Sequence, residues 1–212
     1  MTKLDYIFLD LDGPILEGKL RHYNCYKDII LVDGGTPLEI NDYWEMKRNK
    51  IRRDIVLEKS QYKNSYAKFI QRWNYQIEHR KYLLFDILKP EVKEVLISWR
   101  SIANNIVLVT MRNNRNNLLW QLKKLDIFSC LDQVIACPNI DGNGSKYSKL
   151  KDISFERAIF VGDTEEDTIT AAKLGIKSIA ITNGLRTKEH LDADYYFDEI
   201  KDIDFHKIIP LL

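Results

Sequence analysis

Short apolar runs alternate with longer amphipathic segments along most of the chain. Residues 5–11 (DYIFLDL), 106–110 (IVLVT), 133–136 (QVIA), 158–162 (AIFVG) and 177–181 (KSIAI) are brief and rich in Val and Ile. Runs of this kind predict strands buried on both faces of a parallel sheet. Helical spacing lies between them. Residues 90–103 begin at Pro90, which suits a first helical turn. Residues 114–125 carry Leu118, Leu119, Leu122 and Leu125 at helical intervals, and 164–174 place Ile169, Ala172 and Leu174 ahead of Gly175, a helix stop. Residues 199–209 predict a closing helix. Strands and helices in alternation imply an α/β fold with a doubly wound, Rossmann-like parallel sheet.

The alternation stops between about residues 16 and 88. Tyr62, Tyr66, Phe69, Trp73 and Ile77 trace one apolar helical stripe there, and Trp44, Ile51 and Ile55 trace a weaker one. Gly34-Gly35-Thr36-Pro37 reads as a turn. Because 11 of the 23 aromatic residues fall in this stretch, it can build a small core of its own. The expected organisation is an α/β core from 1–15 and 89–212, with a smaller all-helical domain, 16–88, inserted after the first strand.

Composition narrows the classes. The chain has 212 residues, 45% hydrophobic and 30% charged, which excludes a disordered chain and a small disulfide scaffold. The net charge of +1 gives no general field for nucleic acid or an anionic membrane. One local exception is 47–53 (KRNKIRR), with five basic residues in seven. It reads either as an attractor of anionic substrates or as the solvated face of a helix whose other side holds Trp44, Ile51 and Ile55. No apolar run has the length of a membrane span, and the first apolar run carries acids, unlike a leader peptide. Cys25, Cys130 and Cys137 have no CxxC spacing and suit reduced thiols. A cytoplasmic monomer or homodimer is expected, with nucleic acid an unlikely partner and no membrane.

The chemistry lies at strand ends. Asp10-Leu11-Asp12-Gly13 closes the first apolar run, and ligands of doubly wound sheets bind at carboxyl ends of strands. Two carboxylates held close call for a cation or a shared proton. By itself the motif is equally an Asp-rich turn. Gly162-Asp163-Thr164-Glu165-Glu166-Asp167 follows a second buried run, where Asp163 suits a helix N-cap and the next acids suit a first turn. Two acidic strand ends in one sheet suggest a hard cation such as Mg²⁺. Thr110 ends a third run, and Lys146 and Lys149 offer cations beside these acids.

In this order, FLDLDGPIL (8–16), VLVTMR (107–112), GSKYSKL (144–150) and FVGDTEEDTITAAKLGIKSI (160–179) resemble the haloacid dehalogenase superfamily, in its phosphatase branch with a helical cap. The resemblance implies a Mg²⁺-dependent phosphatase acting on a small phosphorylated metabolite. It implies Asp10 as nucleophile, Asp12 as general acid and base, and Thr110 and Lys146 as phosphate ligands. It implies a metal site drawn from Asp10, Asp12 (through its carbonyl), Asp163 and Asp167. Lys146 fits the Lys-x-x-x-Leu pattern with Leu150, and Lys149 is the alternative. Pro14 stands where the family commonly has Thr. Arg21 and Arg112 are further candidates for holding substrate, Arg112 as a second anion clamp. A phosphomutase would use the same residues, and a non-catalytic metal- or phosphate-binding protein on this fold is the remaining alternative.

Overall fold

A computed structural model describes residues 3–138 and 145–211; Gly144 of the lysine motif lies outside them. The chain divides into two compact units, Met1–Leu16 with Leu88–Leu212, and Glu17–Ile87.

The first unit is built on a six-stranded sheet. Its strands are β1 (Leu4–Leu9), β4 (Ala103–Thr110), β5 (Gln133–Ala136), β6 (Ala158–Gly162), β7 (Lys177–Ile181) and β8 (Tyr195–Phe197). Two short strands, β2 (Leu16–Glu17) and β3 (Ile87–Leu88), pair with each other. The order of the large sheet is β5-β4-β1-β6-β7-β8, parallel throughout. From β1 the chain builds outward through β4 and β5, then returns to β6 on the other side. That reversal opens a crevice beyond the carboxyl end of β1.

Alternate residues of the strands feed two apolar layers. Ile7, Leu9, Ile106, Leu108, Ile159 and Val161 pack with Val92, Leu96 and Trp99 of α6 (Val92–Trp99) and with Leu118 and Leu122 of α7 (Arg115–Lys124). On the opposite face, Phe8, Val107, Val109 and Phe160 pack with Leu150 of α8 (Lys146–Leu150) and Ala171 of α9 (Glu165–Leu174). This double burial is why the strands read as unbroken apolar runs.

Elements of the first unit differ from expectation at both ends of the core. Pro90 lies outside α6, because Lys89 N–H bonds the Ile15 carbonyl and Glu91 takes a left-handed φ of 61° before the helix begins. The closing helix is broken into a short 3₁₀ turn (Ile200–Asp202) and α10 (Phe205–Ile208). There the side chains of Asp202 and Asp204 accept from Glu199 N–H and His206 N–H, competing with a continuous helix. The edge strand β8 is too short to carry a periodic signal.

The second unit contains α1 (Lys19–Val32), α2 (Ile40–Arg48), α3 (Arg53–Lys59), α4 (Tyr66–Gln76) and α5 (Arg80–Leu83). Its core holds Tyr26, Ile29, Tyr43, Val56, Leu57, Phe69, Trp73 and Tyr82. Of the main expected stripe, Phe69, Trp73 and Ile77 are buried, whereas Tyr66 is exposed at the first turn. The second stripe does not form. The chain turns between α2 and α3 with Lys50 at φ 55°, so Ile51 and Ile55 are exposed, and Tyr43, Val56 and Leu57 go inward instead. The basic run 47–53 therefore spans a helix end, a turn and a helix start. Two of its members, Lys47 and Arg53, lie 5.3 and 5.1 Å from the Trp73 ring centre.

Candidate active site

Asp10 directly follows β1, and its N–H bonds the Val161 carbonyl at 2.9 Å, extending the β1–β6 ladder by one residue. This fixes Asp10 at the crevice. Its Oδ1 accepts from Leu11 N–H at 2.8 Å and lies 2.9 Å from Lys146 Nζ. The following loop is tight: Ile15 N–H and Leu16 N–H both bond the Leu11 carbonyl, and Gly13 N–H bonds that of Leu16.

Asp163 follows β6, but it does not cap α9 as its position suggested. Thr164 is the N-cap, in a capping box with Asp167. Asp167 Oδ2 accepts from Asp163 N–H, Thr164 N–H and Thr164 Oγ1 at 3.1, 2.9 and 2.8 Å, and its Oδ1 meets Lys146 Nζ at 2.5 Å. Asp163 is thereby released from capping. Its Oδ2 accepts from Leu185 N–H, while its buried Oδ1 has no hydrogen-bond partner among the described residues.

Asp10, Asp163 and Asp167 offer carboxylate oxygens within 4.8 Å of one another, all buried. Lys146 is 1% exposed and sits between Asp10 and Asp167. Its N–H is held by Glu166 Oε1 at 2.8 Å. Lys149, one turn on, is exposed. Three carboxylates against one ammonium leave excess negative charge in a dry site. Burial pushes Asp10 up to about 7, aided by Asp167 and Asp12 and opposed by Lys146. Burial, then the charges of Asp10 and Asp167, raise Asp163 well above the carboxylate range. For Lys146, burial works against the charge, but Asp10 and Asp167 outweigh it and hold the ammonium above its ordinary value. An orphaned buried oxygen within an acidic cluster fits a divalent cation.

Three glycines make room for these acids. A Cβ on Gly13, whose φ is +102°, would stand 1.8 Å from Asp163 Oδ2, and one on Gly184 would stand 2.3 Å from it. A Cβ on Gly162 would lie 2.2 Å from Asp167 Cγ.

The other candidates fall in different places. Thr110 ends β4 buried, and its carbonyl accepts from Arg112 N–H at 2.9 Å. Asp12 is not in the carboxylate cluster: its side chain faces Arg112, whose Nε and Nη2 donate to Oδ2 and Oδ1 at 2.9 and 2.8 Å. Arg112 is thus engaged with a protein carboxylate. Arg21 belongs to the helical unit, buried with its Nε 2.9 Å from Asp86 Oδ1. The Asp12–Arg112 fork, the Leu185 N–H and the Glu166 contact were missed because each joins segments with no shared spacing. Gly184, after a buried strand and just before Leu185, was the one available signal for the second.

The profile of the haloacid dehalogenase-like hydrolases matches residues 4–175. The chain belongs to this family. As a haloacid dehalogenase-like hydrolase it is an enzyme, and its α/β sheet is the fold that relatives of known structure share. The haloacid dehalogenase-like family protein from Streptococcus pneumoniae superposes with a TM-score of 0.74 at 19% identity, covering 100% of both chains. A Clostridium acetobutylicum protein described as a predicted phosphatase gives 0.73 at 18%, again over 100% of each. CbbY from Rhodobacter sphaeroides, determined in complex with phosphate, gives 0.65 at 14%, covering 94% of this chain and 96% of its own. No curated protein matches this hydrolase in sequence. Among its described residues, no helix is long and apolar enough to cross a membrane.

Proposed function

We propose that this hydrolase is a Mg²⁺-dependent phosphatase that cleaves a small phosphorylated metabolite through an aspartyl-phosphate on Asp10. The observation that carries this reading is the buried set of Asp10, Asp163 and Asp167 around Lys146, with Asp163 Oδ1 left without a hydrogen-bond partner among the described residues. Asp10 and Asp163 would hold the cation, joined by the main-chain carbonyl of Asp12, whose carboxylate is taken by Arg112. Asp167, with both oxygens bonded, would steady Lys146 and the cation's surroundings. Bound there, Mg²⁺ supplies positive charge that offsets the repulsion between an anionic nucleophile and an anionic ester.

The chain's own residues account for the remaining steps. An Asp10 oxygen forms the bond to phosphorus as the ester bond breaks. Asp12 gives its proton to the departing oxygen, then accepts one from the water that attacks the aspartyl-phosphate. Lys146 and Thr110 hold the phosphoryl oxygens through both transfers. Glu17–Ile87 acts as a cap that excludes water and selects the substrate, in a cytoplasmic enzyme.

The test is phosphate release from a panel of phosphorylated metabolites, with Mg²⁺ and with chelator, beside Asp10→Asn. Release that needs Mg²⁺ and vanishes in the variant is expected. Release that survives in Asp10→Asn overturns the assignment of the nucleophile.

A further inference from the structure

The Asp12–Arg112 fork joins two residues on different strand ends, and their burial is unequal. The Arg112 side chain is 3% exposed, and that of Asp12 is 25% exposed. A buried guanidinium has little freedom to leave a carboxylate, because an uncompensated buried charge is costly. Arg112 is also anchored through its main chain, by the bond from its N–H to the Thr110 carbonyl. That carbonyl in turn accepts from Cys137 N–H at 2.8 Å, tying the turn to the strand edge. On the other side, the Leu11–Leu16 turn fixes the Asp12 backbone. The cation is therefore the fixed partner and the carboxylate the aimed one. A bidentate pair also sets direction, since two parallel N–H···O bonds leave the carboxylate plane one orientation.

We infer that Arg112 is the positioning residue of the general acid: it aims the Asp12 carboxyl group at the departing oxygen of the ester. The inference rests on the phosphatase reading above. In the step it serves, the bond from an Asp10 oxygen to phosphorus forms as the bond from phosphorus to the departing oxygen breaks. The Asp12 proton passes to that oxygen, which leaves as a neutral alcohol. Protonated Asp12 keeps one of its two bonds to Arg112 and turns the other oxygen to the ester. Arg112 itself touches neither the transferring group nor the cation.

Such a role has a signature that packing does not share. An alkyl phosphate, whose leaving oxygen is strongly basic, needs the proton. A nitrophenyl phosphate, whose phenolate is a good leaving group, does not. The experiment compares kcat/KM for these two ester types in the wild type, Arg112→Ala and Arg112→Lys. In Arg112→Ala, a fall of roughly 10- to 100-fold on the alkyl ester is expected, part of the 10²–10⁴ that a positioned acid supplies. On the nitrophenyl ester the expected loss is within about threefold, since no proton is needed there. Arg112→Lys, which keeps the charge but cannot fork, should fall between, with the same dependence on leaving group. Equal losses on both esters in a folded variant overturn the inference in favour of a structural role. A rise in KM that tracks extra anionic groups on the substrate, whatever the leaving group, overturns it in favour of a substrate clamp. If Arg112→Ala does not fold, Arg112→Lys alone decides, by the same split. A wild type inert on both esters would instead remove the phosphatase reading itself.

Discussion

The Asp163 carboxylate occupies the space that a side chain on Gly13 would need, with its Oδ2 1.8 Å from where a Cβ would stand. The loop that follows Asp10 and the second acidic motif are therefore closely matched, and a Cβ on Gly184 would also crowd the same oxygen, at 2.3 Å. Gly13→Ala cannot be accommodated by a flexible tip. It meets a buried carboxylate, and the backbone φ of +102° is itself unfavourable for alanine. The variant should lose at least about tenfold in Mg²⁺ affinity by calorimetry, the scale seen when the support of a metal ligand is disturbed. Gly184→Ala, with a nearest approach of 2.3 Å, should lose less. Unchanged Mg²⁺ affinity in Gly13→Ala would mean that Asp163 does not hold the cation.

The acidic cluster also dictates how stability varies with pH. Asp10 is raised to about 7 and Asp163 is raised as well, both chiefly by burial. A carboxyl whose folded pKa exceeds its unfolded value stabilises the fold while protonated. That contribution is fully present below about pH 4 and is lost as pH rises through the folded pKa. The metal-free protein should therefore lose stability from this cluster between about pH 4 and somewhat above 7, and a cation should restore it. In thermal melts, Mg²⁺ should raise Tm more at about pH 8 than at about pH 5.5. Asp10→Asn should raise the metal-free Tm at the higher pH and shrink the difference. A Mg²⁺ effect independent of pH would contradict the origin assigned to it.

Asp194 behaves in the opposite sense. Burial raises its pKa, but bonds from Lys177 Nζ and Ser178 N–H more than offset this, leaving it lowered. These contacts, at 2.6 and 2.9 Å, join the segment before β8 to the start of β7. The stability they supply is present above the unfolded pKa of about 4 and is lost as pH falls through the lower folded value. Asp194→Asn should be less stable than wild type in urea at about pH 7, with the gap narrowing at about pH 3. A gap that is constant with pH would indicate lost packing rather than a lost charge.

The sheet was legible because its strands are buried on both faces, which writes Val- and Ile-rich runs such as IVLVT directly into the chain. The helical unit was less so. The periodicity at Trp44, Ile51 and Ile55 continued through a turn that Lys50 makes in a left-handed conformation, and nothing in the residue types marks that break. At the site, Asp10 and Asp163 could be picked out because each follows a buried apolar run, whereas Asp167 and Lys146 were picked out through the order of motifs that the resemblance supplied, with Lys149 as the alternative. Their mutual arrangement could not. That Thr164 rather than Asp163 caps α9 depends on the Asp167 side chain folding back, and two first-turn acids look alike in sequence. Arg112 could be placed near Thr110, but its partner lies 100 residues away on another strand end.

Lys146 carries the last test. Its ammonium is the one cation set directly between Asp10 and Asp167 among the described residues, and it is 1% exposed. Lys146→Met keeps most of the volume and removes the charge, leaving buried carboxylates to repel one another. Breaking a buried ion pair from one side costs about 3–5 kcal/mol. Here the carboxylates can take up protons in compensation, so the loss should be smaller at about pH 5 than at about pH 8. Mg²⁺ adds positive charge beside the same acids and should recover part of the stability. In the proposed mechanism Lys146 also donates to the phosphoryl group, which Mg²⁺ cannot replace, so hydrolysis should stay depressed in saturating Mg²⁺ by at least about 10²-fold, the scale of one lost electrostatic donor. Lys149→Met, altering an exposed side chain, should stay within about 0.5 kcal/mol of wild type and keep its activity. The measurements are urea unfolding with and without Mg²⁺ and phosphate release by both variants. Recovery of activity together with stability would mean that Lys146 only balances charge and takes no part in holding the phosphoryl group.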